Sequence, residues 1–75
     1  MKDIDFGIVK LTLNKVFNEN EISLRKLASR AEMEPTQLKA YLHNEMQRVD
    51  LNVLARLCYA LECDLNDILE YNPPE

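Results

Sequence analysis

Apolar residues recur with a helical period in two consecutive stretches near the middle of the chain. Those of the first stretch are Leu24, Leu27, Ala28 and Ala31. Those of the second stretch are Leu38, Tyr41 and Leu42. This spacing predicts two short helices, each with one buried face. Ser23 suits the N-cap of the first helix, where its hydroxyl accepts a backbone N–H, and Pro35 suits the first turn of the second.

Only a few residues, from Glu32 to Pro35, separate the two predicted helices. Two short helices across such a tight turn are typical of a helix-turn-helix, here over residues 23–43. If both apolar faces pack on a shared core, the opposite face of the second helix must point outward. That outward face carries Thr36, Lys39, Ala40 and His43.

Three further helices are predicted around this pair. One begins near Ile8, and its apolar face consists of Val9, Leu13, Val16 and Phe17. Another follows Asp50 at its N-cap, and its apolar face consists of Leu54, Leu57, Cys58 and Leu61. A last short helix follows Asp64, with Asp67 three residues on as in a capping box, and ends before Asn72-Pro73-Pro74.

These patterns predict a compact all-α fold of five helices, with the helix-turn-helix formed by helices 2 and 3. We expect a single domain over residues 1–75, with an N-terminal arm at residues 1–6 and a short tail at residues 72–75. The residues expected in its core are Leu13, Val16, Phe17, Leu24, Leu27, Ala28, Leu38, Leu42, Leu54, Leu57, Cys58, Leu61 and Leu69.

The N-terminal segment has more than one interpretation. Ile4, Phe6 and Ile8 alternate with polar or small residues, which fits an extended arm, an edge strand that pairs with another subunit, or a frayed terminus. Leu11 lies off the apolar face of the first predicted helix. It either covers a neighbouring helix or contributes to a self-association surface.

The charge of the chain is unevenly distributed. Its net charge is −4, with an isoelectric point near 4.9, which by itself argues against a nucleic-acid partner. Residues 23–48, however, hold five basic and three acidic side chains, for a net charge of +2. Residues 49–75 hold one basic and six acidic side chains, for −5. The predicted helix-turn-helix is therefore the one positive region.

The sequence offers no set of residues for catalysis or metal binding. His43 is the only histidine, and Cys58 and Cys63 have a spacing that fits no common metal motif. We expect no enzymatic activity, no metal and no small-molecule cofactor, and we expect Cys58 to fill the core as a small apolar residue. No apolar run reaches the length of a membrane span, and the N-terminus lacks a signal-peptide core, so we expect a cytoplasmic protein made in its mature form.

Several motifs resemble the phage lambda repressor and Cro family, the XRE-like domains, over about residues 8–73. Leu27-Ala28 and the spacing of Leu38 with Tyr41-Leu42 match the family's motif helices. More specific is the stretch from Arg48 to Pro73, which is similar to the small stand-alone regulators of this family. Its matching residues are Arg48-Val49-Asp50-Leu51, Leu54, Leu57-Cys58, Ala60-Leu61, Cys63, Asp67-Ile68-Leu69-Glu70-Tyr71 and Pro73.

The resemblance implies a regulator, expected to be a repressor, that binds double-stranded DNA with its second motif helix in the major groove. The implied base-reading residues are Thr36, Gln37, Lys39 and Ala40. The implied DNA-backbone contacts are Ser23, Arg25, Lys26, His43, Asn44 and Arg48. The family usually has glycine where this chain has Glu32, so we expect Glu32 to adopt a left-handed conformation. Glu34 stands where the family usually has a serine or asparagine cap.

Two functional hypotheses follow. The first is a sequence-specific DNA-binding regulator that acts as a homodimer, with Ile4–Phe6, Leu11 or Tyr71 as candidate contact surfaces. The second is a protein-interaction module on the same fold, such as an anti-repressor or an antitoxin-like partner. The acidic C-terminal region, together with Glu32 and Glu34 at the turn, favours the second hypothesis.

Overall fold

The computed structural model describes residues 4–75 as five helices and two short strands. In chain order the elements are β1 (Ile8–Leu11), α1 (Leu13–Glu19), α2 (Leu24–Arg30), α3 (Pro35–Leu42), α4 (Leu51–Leu61), α5 (Leu65–Ile68) and β2 (Leu69–Asn72). The two helices predicted between residues 23 and 43 are present as α2 and α3. Within the described residues, no helix is both long and apolar enough to cross a membrane.

The expectation of an all-α fold is corrected by a small antiparallel sheet of β1 and β2. Ile8 pairs with Asn72, and Leu11 pairs with Leu69. The helix predicted from Ile8 therefore begins only at Leu13, and the last predicted helix ends at Ile68 rather than at the prolines. Asn72, placed in the tail by the sequence, is the last residue of β2. The backbone of residues 8–11 thus makes its hydrogen bonds to a distant strand instead of within a helix.

Polar side chains fix the N-terminal ends of three helices, as predicted. The Ser23 hydroxyl accepts the backbone N–H of Lys26 at 3.0 Å at the start of α2. The Asp50 carboxylate accepts the N–H of Asn52 at 2.8 Å at the start of α4. At α5, Asp64 and Asp67 form a capping box. These caps satisfy N–H groups that a helix leaves unpaired in its first turn.

Four helices are followed by a non-glycine residue in the left-handed region. These residues are Glu21 (φ 51°) after α1, Glu32 (φ 54°) after α2, Asn44 (φ 59°) after α3 and Glu62 (φ 53°) after α4. After Glu32, for example, the N–H of Met33 donates to the carbonyl of Ala28 at 2.8 Å, the closure typical of a Schellman motif. The left-handed conformation expected for Glu32 is confirmed. The chain contains a single glycine, so side-chain-bearing residues take the place that glycine usually fills.

The core lies between the helices and extends to the inner end of the sheet. Of the residues expected there, Leu13, Val16, Leu27, Ala28, Leu38, Leu54, Leu57 and Leu61 are buried. Phe17, Leu24, Leu42, Cys58 and Leu69 are half-buried at its edge. The core also includes Leu11, Ala31, Met33, Tyr41, Val53, Ala60 and Ile68. Because Leu11 is only 9% exposed, it is excluded as a self-association surface.

Hydrogen bonds between elements orient α3 and α4 on this core. The phenolic oxygen of Tyr41 on α3 accepts the backbone N–H of Asp50 at 3.2 Å, just before α4 begins. The Arg56 side chain on α4 donates through Nε to the carbonyl of Ala31 at 2.7 Å, at the end of α2. Tyr41 is 2% exposed, so it is a core residue.

Candidate nucleic-acid interface

The outward side of α3 consists of polar side chains that the core leaves free. Thr36, Gln37 and Lys39 are exposed, whereas Leu38 is fully buried. Ala40, expected on the same outward face, is half-buried. The helix therefore presents hydrogen-bonding groups along its first two turns and a small side chain beside them. Small and hydrogen-bonding side chains allow a helix to approach base edges closely.

The N-terminus of α3, unlike those of α2, α4 and α5, is not capped by a side chain. Glu34 occupies the N-cap position in extended conformation, yet its carboxylate makes no cap hydrogen bond within the described residues. Pro35 at the start of the helix has no N–H to satisfy. The backbone N–H groups of Thr36 and Gln37 therefore remain available to an external acceptor. An anion such as a phosphate is favoured at this end of a helix, while the Glu34 carboxylate opposes it.

The residues expected to contact the DNA backbone fall at three places. Ser23, Arg25 and Lys26 are exposed at the start of α2. The Ser23 hydroxyl accepts the Lys26 N–H but keeps its own proton for donation. His43 is exposed at the C-terminal end of α3, and Arg48 is exposed in the segment between α3 and α4.

Asn44 has a structural role that the sequence did not predict. Its side-chain oxygen accepts the backbone N–H of Leu11 at 3.1 Å, which joins the end of α3 to β1. Its backbone is left-handed. The side-chain amide group can still donate, but the oxygen is committed to the fold. Asparagine is favoured just after a helix in this backbone conformation, but that preference does not indicate the distant partner of its side chain.

Basic side chains near α2 and α3 are not engaged in ion pairs within residues 4–75. The one ion pair of these residues joins Lys10 and Glu70 across the sheet, at 3.6 Å. Arg25 and Lys39 are thus free to bind phosphate or a base. Arg30 is also exposed, but it lies in a cleft with Tyr59 and Glu62 of α4.

The two cysteines lie together where α4 ends. The N–H of Cys63 donates to the carbonyl of Cys58 at 3.1 Å. Burial raises the pKa of the Cys63 thiol to about 11, and it also raises the pKa of Cys58. Both thiols are therefore protonated at neutral pH, which makes them poor nucleophiles. In the described part of the chain, no cluster of three or more His, Cys, Asp or Glu residues could hold a metal ion.

Residues 12–74 of the chain match the family of Cro/C1-type HTH DNA-binding domains. The chain belongs to this family of DNA-binding domains, as the resemblance of its motifs implied. The match begins at Thr12, just before α1, and includes every helix described above. No curated protein matches the chain significantly.

A solved structure shares the arrangement of the chain. It is the crystal structure of a proposed DNA-binding protein from Bacteroides fragilis, with a TM-score of 0.74 and 17% sequence identity. The superposition covers 84% of this chain and 100% of that chain. At this identity, the likeness shows a common fold.

Proposed function

We propose that this protein is a sequence-specific transcriptional regulator, acting as a repressor, with α2, the turn and α3 as its helix-turn-helix. In this proposal residues 1–75 form one domain, residues 23–43 form the motif, and α3 enters the major groove of double-stranded DNA. The observation that carries the proposal is the exposed outward side of α3, with Thr36, Gln37 and Lys39 free, in a chain of a DNA-binding family.

Base reading is assigned to the first two turns of α3. Lys39 donates to guanine O6 or N7, and Thr36 donates, accepts or packs its methyl group against thymine. Gln37 can make a bidentate contact to adenine. The side chain of Ala40 does not extend far toward the bases, but its small size leaves room for the wall of the groove. The exposure of the first three side chains supports this assignment.

Phosphate contacts are assigned to the flanks of α3. Ser23, Arg25 and Lys26, at the start of α2, contact phosphates of one DNA strand. His43 and Arg48 contact phosphates near the C-terminal end of α3. Such contacts position the protein on the duplex without reading sequence. Asn44 contributes at most through its side-chain amide, since its oxygen accepts the Leu11 N–H.

A single recognition helix covers one half-site, so we propose a homodimer that binds a two-fold symmetric operator. The experiment that tests the proposal is selection of bound duplexes from a random pool by the purified protein. We expect an enriched motif made of two inverted half-sites, their centres about one helical turn apart. Recovery of no motif at low salt, where phosphate binding is strongest, would contradict sequence reading.

The second candidate is a protein-interaction module on the same fold, an anti-repressor or antitoxin-like partner. It is favoured by the exposed Glu34 at the entrance of α3 and by the net charge of −5 over residues 49–75. Replacing Glu34 with Gln separates the two candidates. If DNA is the partner, removal of this charge either tightens binding to all duplexes or relaxes the selected sequence. If a basic protein is the partner, the same change leaves DNA binding unaltered.

A further inference from the structure

The backbone at the end of α4 brings the two cysteines of the chain together. The N–H of Cys63 donates to the carbonyl of Cys58 at 3.1 Å, and the N–H of Glu62 donates to the carbonyl of Tyr59 at 3.3 Å. Glu62, the residue before Cys63, is left-handed. These features together define a Schellman motif. Cys58 and Cys63 occupy the two positions of that motif whose side chains characteristically pack against each other.

The end of α2 shows such packing in the same molecule. There the N–H of Met33 donates to the carbonyl of Ala28 at 2.8 Å. The side chains of Ala28 and Met33 are both buried in the core, at 3% and 8% exposure. Among the helices of residues 4–75, only α4 has a thiol at both positions of the motif.

The hydrogen bond between Cys58 and Cys63 limits the distance between their Cα atoms. A Cα atom lies about 2.4 Å from its own carbonyl oxygen and about 1.5 Å from its own nitrogen. With the 3.1 Å hydrogen bond added, the two Cα atoms are at most about 7 Å apart. They are closer than this limit, because an N–H that points at the oxygen bends the path at the nitrogen. Disulfides join Cα atoms about 4.4–6.8 Å apart, so the backbone already suits one.

The two thiol groups also interact with each other. Burial raises the pKa of both thiols, whereas a thiol–thiol interaction lowers the pKa of Cys58 and adds to the raised pKa of Cys63. This difference is expected when the S–H of Cys63 donates to the sulfur of Cys58. Both side chains are half-buried, and Cys63 lines an open cleft beside Arg30 and Tyr59. A small molecule therefore has access to the pair through this cleft.

We propose that Cys58 and Cys63 are a disulfide-forming site, oxidised within the native fold by a small-molecule disulfide. The thiolate of Cys63 attacks one sulfur of the oxidant, and a first small thiolate leaves. The thiolate of Cys58 then attacks the Cys63 sulfur of this mixed disulfide, and the second small thiolate leaves. The two cysteines lose two electrons and the oxidant gains them. The two protons of the cysteines pass through solvent to the released thiolates.

Protonation of the thiols governs the rate of this exchange and not its equilibrium. Since the thiolate is the attacking species, the raised pKa values slow both steps at neutral pH. The equilibrium depends on how well the native geometry suits the disulfide. A native state that holds the two sulfurs together favours the oxidised form, and the disulfide stabilises the native state by the same factor. The inference uses none of the residues proposed to contact DNA and does not depend on that function.

Glutathione redox buffers of graded ratio test the site on the full chain, with oxidised glutathione as the small-molecule disulfide. The protein is equilibrated in the native state and in concentrated urea, from both the reduced and the oxidised form. Acid quenching, alkylation of free thiols and mass spectrometry then measure the intramolecular disulfide. The matched control combines Cys58→Ala with Tyr59→Cys. It keeps two thiols per chain but moves one of them to a position that is 84% exposed in the unmodified chain.

We expect the equilibrium constant for disulfide formation to be at least about tenfold larger in the native state than in urea. By linkage, urea denaturation of the oxidised and reduced forms should show the same factor in the equilibrium constant of unfolding. We expect the control to show no preference for the native state. An equal or smaller constant in the native state would overturn the proposal, and so would an equal preference in the control. Disulfides that form between chains instead of within one chain would also overturn it.

Discussion

The side-chain oxygen of Asn44 accepts the backbone N–H of Leu11 at 3.1 Å, across 33 residues of sequence. This bond joins the C-terminal end of α3, the helix proposed to read DNA, to β1. It also satisfies a part-buried N–H that would otherwise lack a partner. The orientation of α3 relative to the sheet is therefore supported by a hydrogen bond between a side chain and a strand backbone as well as by packing.

Replacement of Asn44 tests that contact. Asn44→Gly keeps the left-handed conformation (φ 59°) but removes the acceptor, so we expect a loss of about 1 kcal/mol in the free energy of unfolding. Asn44→Ala removes the acceptor and also strains the backbone, so we expect a loss of about 2 kcal/mol or more. Urea denaturation measures both. Because alanine offers no relief of the backbone, equal stability of Asn44→Ala and the unmodified chain would mean that the bond contributes nothing.

The strain at the helix ends predicts an unusual stabilising substitution. Glu62 has φ 53° at the C-terminal end of α4, where a carboxylate also opposes the helix dipole. We expect Glu62→Gly to raise the free energy of unfolding by about 0.5–1 kcal/mol. Glu62→Ala serves as the control, because it removes the charge but keeps the strain. If both variants are stabilised equally, the gain comes from charge and not from the backbone.

The core accounts for most of the stability of so small a domain. Leu27 on α2 is fully buried, and Leu51 on α4 is 79% exposed. We expect Leu27→Ala to cost about 2–5 kcal/mol, since it opens a cavity. Leu51→Ala, the same change on the surface, should cost less than about 0.5 kcal/mol. Thermal or urea unfolding of the pair measures the contrast, and similar losses in both would contradict the assignment of the core.

The helices were predictable because their signals are local. The apolar period of Leu24, Leu27 and Ala28 and the caps at Ser23 and Asp50 act within a few residues of sequence. The left-handed conformation of Glu32 was instead implied by the resemblance, because the family usually has glycine at this position. Side-chain exposure on α3 followed from the same periodicity, apart from the half-buried Ala40.

The sheet was not predictable by the same means. Ile8–Leu11 and Leu69–Asn72 each contain four residues, too few for a period of two to stand out from a helical one. Their pairing joins segments about sixty residues apart, so no local sequence pattern predicts it. Leu11 and Leu69 are apolar in either structure. The role of Asn44 was missed for the same reason, because its partner Leu11 is distant in sequence.

Base reading by Lys39 is the central claim, and fluorescence anisotropy with two labelled duplexes tests it most directly. One duplex carries the selected sequence, and the other carries a scrambled sequence of equal length. Three alanine variants are compared over a range of salt concentrations. They are Lys39→Ala on α3, Arg25→Ala at the start of α2, and Lys15→Ala on α1 as a control outside the proposed interface.

We expect Lys39→Ala to cost about 1–3 kcal/mol on the selected duplex and almost nothing on the scrambled one, since it removes a base contact. Arg25→Ala should weaken binding to both duplexes alike and reduce the salt slope by about one, as loss of a phosphate contact does. Lys15→Ala should leave both affinities nearly unchanged. If Lys39→Ala has the same effect on both duplexes, or none on either, α3 does not read the sequence through this residue.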